Sequence, residues 1–103
     1  MVFKLLLVED DAEIREIIID YFTEKSSGAI VVDCAGTGYE GRGKCLEKEY
    51  DLVLLDVMLP EIDGFVICRE LRKVSDVPII FITAKHHEND RLQGYRLGCD
   101  DYI

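Results

Sequence analysis

Two hydrophobic periodicities alternate along the chain, and their alternation constrains the fold more than any single motif does. "KLLLV" (Lys4–Val8) is a short apolar run, the pattern of a strand covered on both faces. From Asp11 the spacing changes: Ile14, Ile17, Ile18, Tyr21 and Phe22 recur at helical intervals between Glu13, Glu16 and Asp20. Asp11 is placed to cap that helix and "KSSG" (Lys25–Gly28) to end it. "AIVVDCA" (Ala29–Ala35) predicts a second strand, followed by a weak helix over Tyr39–Lys48 that contains Gly41 and Gly43. "DLVLLD" (Asp51–Asp56) predicts the third strand, and Phe65–Lys73 a helix with Phe65, Cys68 and Leu71 on one side and Asp63 as its cap. "VPIIFITA" predicts the fourth strand, His87–Leu97 a further helix ended by Gly98, and "DDYI" the start of a fifth strand. The connections are too long for hairpins, so the strands are expected to run parallel with right-handed crossovers. The expected class is α/β: an open parallel sheet with helices on both faces.

At 103 residues, 49% of them hydrophobic, residues 1–103 are expected to form one domain around one core. No apolar run approaches the ~20 residues that cross a bilayer. "MVFKLLLVEDD" meets acids after a few apolar positions and has no small-residue cleavage site, so export is not expected. A net charge of −9 disfavours direct binding to nucleic acid or an anionic membrane, both of which need clustered Lys and Arg. Cys34, Cys45, Cys68 and Cys99 form no C-x-x-C pair, and reduced, buried thiols in a cytoplasmic protein are expected.

Open parallel sheets bind ligands at the carboxyl ends of their strands, near a topological switch point. The first strand ends in Glu9, Asp10 and Asp11, the third in Asp56, and the fourth in Thr83 and Ala84. Acids converging from two strands repel one another, and a hard divalent cation relieves that repulsion; Mg2+ takes oxygen ligands and often only one or two carboxylates. Helix capping accounts for Asp11 but explains neither Glu9 nor Asp56.

"LLLVEDDAEIR", "DLVLLDVMLPEIDGF", "PIIFITA" and "LGCDDYI" together resemble the receiver domain of two-component response regulators, in order and over nearly the whole chain. The resemblance implies a flavodoxin-like three-layer sandwich with a five-stranded parallel sheet of order 2-1-3-4-5. It implies Asp56 as phosphoacceptor, with Mg2+ (or Mn2+) bound by Asp10 and Asp56, by Glu9 through water and by the Met58 carbonyl. Thr83 matches the switch hydroxyl, Tyr102 the switch aromatic, and Pro60, Asp63 and Gly64 the loop after the acceptor. The implied partners are a sensor histidine kinase and, in the parent protein, an output domain, as in the DNA-binding branch of the family. Family chemistry is self-catalysed phosphotransfer with slow autodephosphorylation rather than conventional turnover. Arg91 and Arg96, with Asp100 and Asp101, resemble the charged dimer face of winged-helix regulators, or else form a solvated face.

The family pattern continues with a Lys-Pro pair and a fifth helix, which would follow Ile103; Lys85, after the fourth strand, is no substitute for that lysine. The expectation is therefore a C-terminally truncated receiver with the fifth helix missing, less stable than a complete domain, prone to self-association, and without the lysine that pairs with the phosphoryl group in the family. Other readings compete. Gly36, Gly38 and Gly41 form a G-x-G-x-x-G after a strand and before a helix, as in dinucleotide-binding domains. An aspartate-nucleophile phosphohydrolase resembles D-x-D, but Met58 occupies the place of its general acid. A flavodoxin-like mononucleotide site would set three carboxylates against a phosphate. A pseudo-receiver would keep the fold and bind partners without phosphorylation. His86-His87 could bind a metal, or simply form an exposed turn.

Overall fold

The computed structural model describes residues 2–56, 59, 64–82 and, as backbone, 101–102. The element order is β1 (Phe3–Val8), α1 (Ala12–Lys25), β2 (Ile30–Ala35), α2 (Gly38–Glu47), β3 (Leu52–Asp56), α3 (Gly64–Arg72), β4 (Ile79–Ile82) and β5 (Asp101–Tyr102). All the pairings are parallel, and the sheet order is β2-β1-β3-β4-β5. This is the expected doubly wound order. The expected helix over His87–Leu97 lies outside the described residues.

Local chemistry sets the element ends. Asp11 Oδ1 accepts the N–H groups of Glu13 at 2.9 Å and Ile14 at 3.2 Å, so the first turn of α1 starts where the carboxylate satisfies two otherwise orphaned donors. At the other end Ser27 and Gly28 take left-handed backbone, with φ of 52° and 84°, and the Gly28 N–H closes on the Thr23 carbonyl at 3.1 Å. α2 begins one residue earlier than expected because Thr37 caps it: its hydroxyl accepts the Glu40 N–H at 3.1 Å, while Glu40 Oε1 accepts the Gly36 N–H at 2.7 Å. Asp51 fixes the β1–β3 register through two contacts of 2.7 Å, its side chain accepting from Lys4 N–H and its own N–H donating to the Lys4 carbonyl.

The two sheet faces are buried unequally. Leu6, Val8, Val53, Leu55, Ile79 and Phe81 pack beneath α3, whose Phe65, Ile67, Cys68 and Leu71 are buried with them. Phe65 and Phe81 meet edge to face with centroids 4.9 Å apart, an arrangement adding ~0.5–1.5 kcal/mol beyond the area it buries. On the opposite face Leu5, Leu7 and Leu54 are buried with partial cover from Ile18 and Phe22 of α1. Here the structure departs from the expected stripe. Ile17 and Tyr21 are 67% and 57% exposed, and Ile14 is exposed as well, whereas Ile19 is half-buried. Three consecutive isoleucines (17–19) let the helix roll, and it presents the 15-18-19-22 edge to the sheet. Among the cysteines, Cys68 is buried and Cys34 and Cys45 are only half-buried; all three are free thiols.

Candidate metal centre

The chain leaves β1 toward β2 on one side and leaves the adjacent β3 toward β4 on the other, so a crevice opens between the ends of β1 and β3. Val8 pairs with Leu55 across that boundary, which brings the next residues, Glu9 and Asp56, level with each other. Glu9 continues the ladder on its other side, its N–H donating to the Ala35 carbonyl at 3.0 Å. The strands thus deliver two carboxylates to one rim, and the chain turns at Asp10 to add a third.

Glu9, Asp10 and Asp56 each place a carboxylate oxygen within 4.8 Å of the others'. Glu9 and Asp56 are buried, at 6% and 9% exposure, while Asp10 faces solvent. Glu9 Oε2 is buried without a hydrogen-bond partner. Burial pushes the Glu9 carboxyl up to about 8, helped by its hydrogen bond to Asp56 and by the charges of Asp56, Asp10 and Asp11. A buried acid that resists ionising, with one oxygen unsatisfied and two acids beside it, is a site short of positive charge. An all-oxygen donor set of this kind suits Mg2+ or Mn2+. Asp11 stands apart as the α1 cap, as expected.

The sequence reading missed Arg15. From the second turn of α1 its Nη1 donates to the Glu9 carbonyl at 2.8 Å and to the Asp10 carbonyl at 3.1 Å. An arginine four residues after a capping aspartate is a legible position, but its aim at two carbonyls is not.

The glycine motif has a structural use instead of a nucleotide-binding one. A Cβ on Gly41 would lie 2.7 Å from Val8 Cγ2, so this glycine lets α2 lie directly on β1. The Gly36 N–H already bonds Glu40, whose charge would repel a phosphate there. Met58, Thr83, Pro60, Asp63, His86, His87, Arg91, Arg96, Cys99, Asp100 and the Tyr102 side chain lie outside the described residues, although the Tyr102 backbone pairs with Phe81.

Residues 5–103 match the model of the response regulator receiver domain. The chain belongs to that family. The Bacillus subtilis transcriptional regulatory protein ResD is 43% identical over 100 residues, covering 97% of this chain and 40% of ResD. The chain therefore spans about two-fifths of that relative's length. A two-component response regulator from Clostridium difficile superposes with a TM-score of 0.91 at 29% identity, over 98% of this chain and 81% of that one. The Thermotoga maritima response regulator TrrA, solved in complex with Mg2+ and BeF, gives a TM-score of 0.87 at 32% identity, over 99% of this chain and 85% of that one. The chain is thus a receiver domain of the two-component type, a family whose function is to be phosphorylated by a kinase, with transcriptional regulators among its relatives. Among the described residues no helix is long and apolar enough to cross a membrane.

Proposed function

We propose that residues 1–103 act as one receiver that accepts a phosphoryl group on Asp56 from the phosphohistidine of a sensor histidine kinase or from a small phosphodonor. The observation that carries this reading is the convergence of Glu9, Asp10 and Asp56 within 4.8 Å, with a Glu9 oxygen left unsatisfied. Asp10 and Asp56 would hold Mg2+ or Mn2+, with Glu9 behind them and the Met58 carbonyl completing the protein's share. When bound, the ion supplies charge compensation for the phosphoryl oxygens.

The residues' own work is alignment. An Asp56 carboxylate oxygen forms the new bond to phosphorus as the donor's P–N or P–O bond breaks. The bonding pair leaves with the donor, as on an imidazole nitrogen. Because β3 is buried, it holds that carboxylate at one place on the rim. The Thr83 hydroxyl would then approach a phosphoryl oxygen, and Tyr102 would move into the space it leaves, giving two surfaces for an output domain to distinguish. The relatives' names favour a transcription-regulating output and hence a cytoplasmic location. The acidic charge favours contact with proteins, a second copy included, over direct contact with nucleic acid or membrane.

The test is incubation with Mg2+ and acetyl phosphate, read by intact mass. A phosphoryl adduct that disappears in Asp56→Asn supports the proposal. An adduct retained in that variant would place the acceptor elsewhere, and no adduct at all would favour a phosphorylation-independent interaction module.

A further inference from the structure

Glu9 and Asp10 are adjacent, yet both must aim at Asp56. In an extended strand, successive side chains point to opposite faces. The backbone therefore has to turn between them, and the chain does bend at Asp10, a turn that carries the carbonyls of Glu9 and Asp10. Both carbonyls end on one nitrogen, Arg15 Nη1, at 2.8 and 3.1 Å.

The arginine is itself held. Its N–H bonds the Asp11 carbonyl at 2.9 Å, inside a helix whose first turn Asp11 caps. Its guanidinium lies against Gly36 in the β2–α2 loop, where an added Cβ would stand 3.4 Å from Nη1. Arg15 is half-buried: its bond to the Glu9 carbonyl is partly sheltered from water, and its bond to the Asp10 carbonyl lies at the surface. Three segments of the rim, the ends of β1 and β2 and the start of α1, meet at this one side chain.

We propose that Arg15 is a positioning residue for the acidic centre: by bridging the carbonyls of Glu9 and Asp10 it fixes the turn that aims their carboxylates at Asp56. This rests on the reading of that centre as a divalent cation site. Electrostatics alone predicts the opposite of positioning. Removing a positive charge near three acids favours cation binding, whereas loosening the turn disfavours it. Groups that orient metal ligands through a second contact typically contribute ~10–100-fold in metal affinity.

Calorimetric titration of Mg2+ into the wild type, Arg15→Gln, Arg15→Lys and Asp10→Asn separates these outcomes, with urea unfolding run on each. Arg15→Gln is expected to weaken Mg2+ binding about tenfold or more while still unfolding cooperatively. Arg15→Lys should recover part of the loss, since an ammonium can donate to both carbonyls without the planar fork. Water-proton relaxation of bound Mn2+ should change as well, reporting altered ligation where a purely structural defect would only lower the unfolding midpoint. Unchanged or tighter Mg2+ binding in Arg15→Gln, with Asp10→Asn impaired, overturns the positioning role alone. Unchanged binding in Asp10→Asn overturns the cation site and the positioning role with it. If Arg15→Gln does not fold, wild-type affinity in Arg15→Lys together with an unchanged relaxation signal overturns the proposal, and weakened affinity supports it.

Discussion

Tyr50 donates its hydroxyl hydrogen to Asp33 Oδ2 at 2.6 Å, while Lys44 donates to Asp33 Oδ1 at 3.0 Å and to the Cys34 carbonyl at 2.6 Å. The network ties α2 and the segment before β3 to β2, the edge strand. Burial opposes ionisation of Asp33, but the Tyr50 and Lys44 hydrogen bonds outweigh it and hold the carboxyl below its ordinary value. The folded state then binds fewer protons than the unfolded state. The resulting stability is present above the unfolded pKa, near ~4, and is lost as pH falls through the folded value. Tyr50→Phe should cost ~1 kcal/mol at neutral pH. Asp33→Asn should flatten the acid limb of a plot of urea midpoint against pH.

Two glycines of α2 should respond oppositely to the same change. Gly41 meets Val8 Cγ2 at 2.7 Å and Cγ1 at 3.1 Å from its would-be Cβ, whereas Gly43 has nothing within 4 Å. Alanine raises helix propensity by ~1 kcal/mol at either site, but overpacking costs about 1–3 kcal/mol where the neighbour is a β-branched core residue. Gly43→Ala should therefore stabilise the fold by up to ~1 kcal/mol. Gly41→Ala should be net destabilising, as read from urea unfolding of the pair.

Capping and ligation can be separated on adjacent acids. Asp11 bonds two N–H groups of α1 and is not among the three converging carboxylates. Asp11→Ala should cost ~1 kcal/mol of stability, as for other cap losses, and leave Mg2+ affinity within about twofold, well short of the change expected for a ligating group. A tenfold loss of affinity would make Asp11 part of the centre.

The parallel sheet was legible because apolar runs and helical stripes differ in period, and strand direction alone places Glu9, Asp10 and Asp56 at one end; the strand order came only with the resemblance to receiver domains. The roll of α1 was not. Ile17, Ile18 and Ile19 allow several faces, and only packing against Leu5, Leu7 and Leu54 selects Ile18 and Phe22. The burial of Ile67 was missed for a similar reason, since α3 sinks a wider arc than Phe65, Cys68 and Leu71 imply. The Arg15 bridge depends on side-chain reach to backbone carbonyls, which residue type and spacing do not encode. Gly41 looked like part of a phosphate loop because glycine serves close approach to a helix–strand contact and to a ligand alike.

Glu9 ties the centre to the pH dependence of stability. Its carboxyl is raised from 4.5 to about 8, first by burial and then by Asp56 and the neighbouring acids. The metal-free fold thus binds more protons than the unfolded chain between those values. The stability this gives is fully present below about pH 4.5 and lost as pH rises to about 8. The metal-free urea midpoint should fall across that window, and Glu9→Gln, which stays neutral, should fall less and exceed the wild type at pH 8. Mg2+ should reverse the order. A cation bound only by the folded state adds ~2.7 kcal/mol at one hundred times its dissociation constant, and the wild type should gain more from a given Mg2+ concentration than Glu9→Gln. Equal midpoints for the two proteins at pH 8, with and without Mg2+, would show that Glu9 carries no charge burden in the folded state.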